Sequence, residues 1–129
     1  MPYELTIDED NETIQVRLWD FLTSDEHRAA RRNAVQLCVE HQFRRLLIDL
    51  RDLKTQNVST TGSCYDFGES LTEGAVPQGT FLAHVMPIDA TARRDVQFTL
   101  TVAKNRGGSV EGFTTAEEAS RWLLSHPRE

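Results

Sequence analysis

The sequence predicts an α/β domain on a mostly parallel five-stranded sheet that opens with an antiparallel hairpin, in the order ββαβαβαβα. Three observations carry this. Two short runs of alternating hydrophobicity begin the chain, an almost unbroken apolar run ("RLLIDL") follows, and each later strand-like run is succeeded by a stretch of helical period. Strands alternating with helices imply βαβ units, parallel pairing and right-handed crossovers.

Tyr3 to Ile7 and Thr13 to Trp19 ("TIQVRLW") alternate apolar with polar residues, and "DEDNE" between them supplies turn-forming side chains, which predicts the hairpin. In "TSDEHRAARRNAVQLCVEHQF", Thr23 and Glu26 form a capping box, and Asp25 and Glu26 suit a helix N-terminus. Ala30, Ala34, Leu37, Cys38 and Val39 make an apolar stripe, and this first helix ends around His41. "RLLIDL" lacks polar alternation, the mark of a central strand covered on both faces.

Cys64, Phe67 and Leu71 predict a second helix over about residues 60–72, with Gly68 inside it costing about 1 kcal/mol relative to Ala. "EGAVPQG" reads as a loop, and "TFLAHVM" as a fourth strand stopped by Pro87. Over 89–106, Ala92, Val96, Leu100 and Ala103 recur at helical spacing, Asp89 caps the start and "NRGG" closes the end. "SVEGF" is the fifth strand. Thr115 and Glu118 form a second capping box for "AEEASRWLL", whose inward face is Ala116, Ala119, Trp122 and Leu123, ending before Pro127.

The 129 residues suffice for one core, and no repeat, linker or low-complexity tract divides them, so residues 1–129 read as a single domain. Acids outnumber bases by 20 to 14, and the net charge of -6 disfavours a nucleic-acid surface. "MPYELTIDED" has neither the basic region nor the apolar run of a secretory signal, and no stretch approaches the ~18 apolar residues of a bilayer span. The expected location is the cytoplasm. Cys38 and Cys64 show no metal-like spacing and read as buried free thiols.

Two segments, "RRLLIDLRDL" and "FTLTVAKNRGGSVEGFTTAEEASRWL", together with the element order, resemble the STAS fold of the anti-sigma-factor antagonists. The chain looks most like the stand-alone SpoIIAA-like proteins of bacterial genomes. The resemblance implies a singly wound sheet, parallel strands in sequential order, and helices mostly on one side. It also implies a non-enzymatic regulatory or protein-interaction module that binds another bacterial protein. In the antagonists, the loop after the third strand carries an Asp-Ser-Ser-Gly-like motif whose first hydroxyl is the phosphoacceptor. Here "STTG" stands in that place, with Thr60 at the acceptor position and Ser59 where the acid would be; Ser63 replaces the apolar residue that usually follows the glycine.

Read from the residues alone, Ser59, Thr60, Thr61 and Gly62 are open to three readings. They fit a helix cap worth roughly 1 kcal/mol, an anion site at a helix start, or a phosphoacceptor at Thr60 or Ser59. Arg28, Arg31 and Arg32 share a helix face. They form either a docking patch for an acidic partner or lipid headgroup, or a solvated face answering Asp25 and Glu26. Asp20, Asp52 and Asp89 lie at or just past strand ends, where parallel sheets bind ligands, and Asp49 lies within the third strand. Such carboxylates could suit Mg²⁺, but Asp89 is placed as a cap and no Lys or hydroxyl completes a phosphoryl-transfer site.

His27, His41, His84 and His126 show no ligand spacing, and His84 reads as a core or interface residue. No GxSxG, Walker A or GxGxxG occurs, so no catalytic residue, metal or cofactor is assigned. Trp19, Phe21, Phe67, Phe81 and Phe113 exceed what a helix-side core must hold; they fit ordinary burial, an apolar pocket or a homodimer patch. The alternative to an interaction module is therefore a carrier or sensor of a small apolar or anionic ligand, a lipid or a nucleotide.

Overall fold

The computed structural model describes residues 3–21, 24–54, 80–105 and 109–125. The predicted second helix, the "EGAVPQG" loop, Thr23 of the first capping box and the glycines of "NRGG" lie outside the described residues. The strands are β1 (Tyr3–Asp8), β2 (Thr13–Leu18), β3 (Asp20–Phe21), β4 (Arg45–Asp49), β5 (Leu53–Lys54), β6 (Phe81–Val85) and β7 (Val110–Phe113). The helices are α1 (Ser24–His41), α2 (Ala90–Asn105) and α3 (Ala116–Leu124).

Five strands form one sheet in the order β1-β2-β4-β6-β7. β1 and β2 are antiparallel, with Tyr3 opposite Leu18 and Asp8 opposite Thr13, and every other pairing is parallel. At the hairpin turn the Asp8 carboxylate accepts the Asn11 main-chain N–H at 3.3 Å and its side-chain amide at 2.9 Å. The α/β class, the hairpin and the five-stranded mixed sheet thus follow the sequence prediction. β4 is the middle strand, and its neighbours Leu46 and Leu47 are buried in separate cores on opposite faces. A strand sheltered on both sides has no wet face to alternate toward. β3 and β5 form a separate parallel ribbon with two residues on each strand. Two residues carry no readable period.

The handed crossovers put α1 and α2 on one face. There Ala30, Ala34 and Cys38 of α1, and Leu100 and Ala103 of α2, pack with Ile14, Val16, Leu46, Leu82 and Val110 of the sheet. Val39 was expected in the α1 stripe but is 59% exposed; it sits about 100° around the helix from Cys38, off the buried line. Gly112 of β7 faces α2 closely enough that a Cβ would meet Met86 Sδ at 2.9 Å and Leu100 Cδ1 at 3.2 Å.

α3 follows β7 and covers the opposite face, so among the described helices the sheet is covered on both sides and the singly wound expectation is corrected by this one helix. Ala119 and Leu123 pack on Leu47, Ala83 and Val85, with Ala116 and Trp122 at the margin, so the predicted inward face is the observed one. Phe81 and Phe113 flank Trp122 at ring-centroid distances of 5.9 and 5.8 Å. Those two aromatics therefore belong to this second core. Arg45 ties α3 to the hairpin: its Nε donates to the Leu123 carbonyl at 3.1 Å and its Nη1 to the Asn11 carbonyl at 2.8 Å.

The caps explain where the helices stop. At the end of α1, Phe43 N–H reaches the Cys38 carbonyl at 3.0 Å and Gln42 N–H the Val39 carbonyl at 3.3 Å, a Schellman arrangement. It requires a left-handed residue, and Gln42 supplies it at φ 59°. Gln42→Gly is expected to stabilise the fold by roughly 1 kcal/mol, read from a urea midpoint, because glycine adopts this conformation without steric cost. At the start of α2 the Asp89 carboxylate accepts the Ala92 N–H at 3.0 Å, as the sequence predicts. Asp89→Ala should cost about 1 kcal/mol and Asp89→Asn much less, again by urea denaturation. α3 begins with Thr115 Oγ1 accepting the Glu118 N–H at 3.2 Å. Glu118 in turn accepts the Thr115 hydroxyl at 3.2 Å.

Candidate functional site

The carboxyl ends of β2, β4 and β6 form a crest, the region where parallel sheets place their chemistry. Arg17 and Asp49 are register partners on β2 and β4, and Glu4 of β1 is the partner of Arg17. All three therefore stand side by side on one face of the sheet. Arg17 Nη2 donates to Asp52 Oδ2 at 3.0 Å, and its guanidinium lies 4.9 Å from the Trp19 ring centroid. Arg51 grips Asp49 with Nε at 3.1 Å and Nη2 at 2.8 Å, while its main-chain N–H adds a bond at 3.1 Å. Burial pushes the Asp49 carboxyl upward, but the Arg51 hydrogen bonds and the charges of Arg51 and Arg17 outweigh it and hold it below the ordinary carboxylate range.

The next turn of chain joins the crest through the Ile88 N–H, which donates to the Arg51 carbonyl at 3.1 Å. Ile88 is itself 71% exposed, beside the capping Asp89. Below this rim lies a groove of about 690 Å³ between α3 and the uncovered half of the sheet. Its floor includes Glu4, Thr6, Gln15 and Arg17, and its α3 wall Glu117, Ser120, Arg121 and Leu124.

The predicted acids do not share a metal-sized point. Asp52 answers Arg17, Asp49 answers Arg51 and Asp89 caps α2. Among the described residues no three His, Cys, Asp or Glu side chains gather where an ion could sit. Asp20 lies in β3, and its side chain is outside the described set. Ser59, Thr60, Thr61 and Gly62 lie outside the described residues, as do Cys64, Phe67 and His126. Arg28, Arg31 and Arg32 are on α1; the Arg28 side chain is not described, Arg31 is partly buried with an interaction of its own, and Arg32 is exposed.

Cys38 is a buried free thiol, pushed up to about 11 by burial. His84 is buried in β6 at 4% exposure, and its Nδ1 has no hydrogen-bond partner. Burial pushes it down to about 4 against the pull of a Glu111 main-chain hydrogen bond.

Arg17, Arg51 and the groove were not singled out from the sequence. The period-2 alternation already places Gln15 with Arg17 and Glu4 with Thr6, each pair on one strand face. What was missing is the neighbour: the groove exists only because α3 covers one half of that face and leaves the other open. Among the described residues no helix is long and apolar enough to cross a membrane. No family model matches the chain, and no curated protein matches it.

Proposed function

We propose that the chain is a non-enzymatic regulatory or protein-interaction module of the STAS, SpoIIAA-like type, working in the cytoplasm. It binds another bacterial protein through the crest at the carboxyl ends of β2, β4 and β6. Ser59 or Thr60, a few residues beyond β5 in the sequence, is the phosphorylation control, and phosphate there changes which partner docks.

The observation that carries this reading is the state of the crest carboxylates. Each has an assigned structural partner: Asp52 with Arg17, Asp49 with Arg51, Asp89 with the start of α2. Asp49, held below the ordinary carboxylate range by the Arg51 guanidinium, is a poor proton carrier near neutral pH. It is well suited to presenting fixed charge to a complementary surface, where such groups set specificity and encounter rate. Ile88 supplies an apolar anchor in the middle of that charge.

The test is native mass spectrometry on the protein isolated from its own cells. A stoichiometric protein partner, lost on Ile88→Glu and altered by Thr60→Glu, is the expected result. An unmodified chain carrying only a small bound mass would replace this reading with that of a ligand carrier.

A further inference from the structure

We propose that a second copy of this chain occupies the groove beside α3, each α3 lying across the open β1–β2 face of the other subunit. The groove extends down the sheet from the crest and shares Arg17, Asp49 and Arg51 with it at its upper end, but Ile88 of the crest does not line it, and the contact proposed here lies on α3 and the β1–β2 floor.

The argument begins with charge. Three acids line the groove, Glu4, Asp49 and Glu117, and three arginines, Arg17, Arg51 and Arg121. That balance is local, since the chain as a whole carries 20 acids against 14 bases. An interface between identical subunits related by a two-fold axis uses the same patch twice, so the patch must complement itself. A net-acidic surface brought against its own copy repels; a balanced one does not. Among the described residues the Glu4, Glu117 and Arg121 side chains have no ion pair or hydrogen-bond partner, whereas Arg17 and Arg51 do. The groove therefore holds unanswered charges of both signs.

Their arrangement fits a copy of α3. Glu117, Arg121 and Leu124 all line the groove at i, i+4 and i+7, so they form one stripe along the helix. When two such stripes cross antiparallel about a two-fold axis level with the midpoint between Glu117 and Arg121, Glu117 of each copy lies opposite Arg121 of the other. Leu124, 47% exposed at the rim, gains apolar cover. The floor offers short or polar side chains, Thr6 and Gln15, over a width of two strands, about 10 Å and close to the diameter of one helix.

Analytical ultracentrifugation of the full chain across a concentration series is the experiment. A species of twice 14.7 kDa is expected to form as concentration rises, and to weaken with added salt. Arg121→Glu sets like charges across the axis and should weaken association about tenfold or more. The double variant Glu117→Arg with Arg121→Glu restores the opposite-charge pairing and should restore the dimer. Thr6→Trp fills the groove from the sheet side without altering α3, and should also yield monomer. A chain that stays monomeric at every concentration overturns the proposal. So does a dimer indifferent to both Arg121→Glu and Thr6→Trp. Ile88→Glu, which tests the crest, is expected to leave dimerisation unchanged, so the two proposals fail separately.

Discussion

Replacing Leu123 with alanine is expected to destabilise the protein by about 2–5 kcal/mol and to loosen α3 ahead of the sheet. Leu123 is 1% exposed and is the largest aliphatic side chain that α3 contributes to its core. That core is small, with Leu47, Ala83, Val85 and Ala119 as its other buried members. The helix has nine residues, below the ~12–15 at which isolated helices become marginally stable, so packing supplies its stability. Trp122, wedged between Phe81 and Phe113, reports on the docking of α3. In a Trp19→Phe background, urea denaturation of Leu123→Ala should show tryptophan emission changing before far-UV circular dichroism. Leu124→Ala, on the exposed side, should cost no more than about 0.5 kcal/mol. A cost below about 1 kcal/mol for Leu123→Ala would mean that the second core tolerates collapse around the lost side chain.

Stability is expected to fall by roughly 3 kcal/mol as pH drops from about 6.5 to about 4, and His84 is the cause. Its ordinary value is 6.5, and burial lowers it to about 4 in the folded chain. Between those values the unfolded chain binds a proton that the folded chain excludes, so acid favours unfolding. Above 6.5 both states are neutral and there is no penalty; below 4 both are protonated and the loss is complete. Asp49 does not account for this window, since its folded value lies below 3.8 and its contribution disappears only at lower pH. His84→Gln keeps a polar side chain but cannot titrate, and should flatten the urea midpoint between pH 6.5 and 4. His84→Leu should do the same, at a neutral-pH cost of about 1 kcal/mol for the lost Glu111 main-chain hydrogen bond and none at Nδ1, which has no partner to lose. An unchanged slope in both variants would assign the acid sensitivity elsewhere.

Much of the scaffold was legible because the signals were local and periodic. The alternation in "TIQVRLW" marks β2, the unbroken "RLLIDL" marks the central β4, and Asp89 and Thr115 announce their helices. Val39 shows the limit of a stripe read residue by residue: it is adjacent to Cys38 in sequence but turned away from the core in space. Gln42 hides a backbone requirement behind a side chain with no turn preference. The site was less legible still. Arg17, Asp49 and Glu4 come from three strands, and only the register sets them abreast. Which face α3 would cover followed from no rule about crossovers, so neither the groove nor its charge balance could be counted in advance.

The clasp made by Arg45 has a practical consequence for handling the protein. Because it holds the Leu123 carbonyl and the hairpin turn together, α3 finishes at the amino ends of the parallel strands. β1 runs the other way, and Tyr3 begins beside Leu18, level with the crest. The two ends of the described fold therefore emerge at opposite poles of the sheet. An affinity tag or fluorophore appended after α3 starts its tether far from the crest, whereas one placed ahead of β1 starts next to it. Immobilising the chain through its C-terminal side leaves the proposed recognition pole facing the solution.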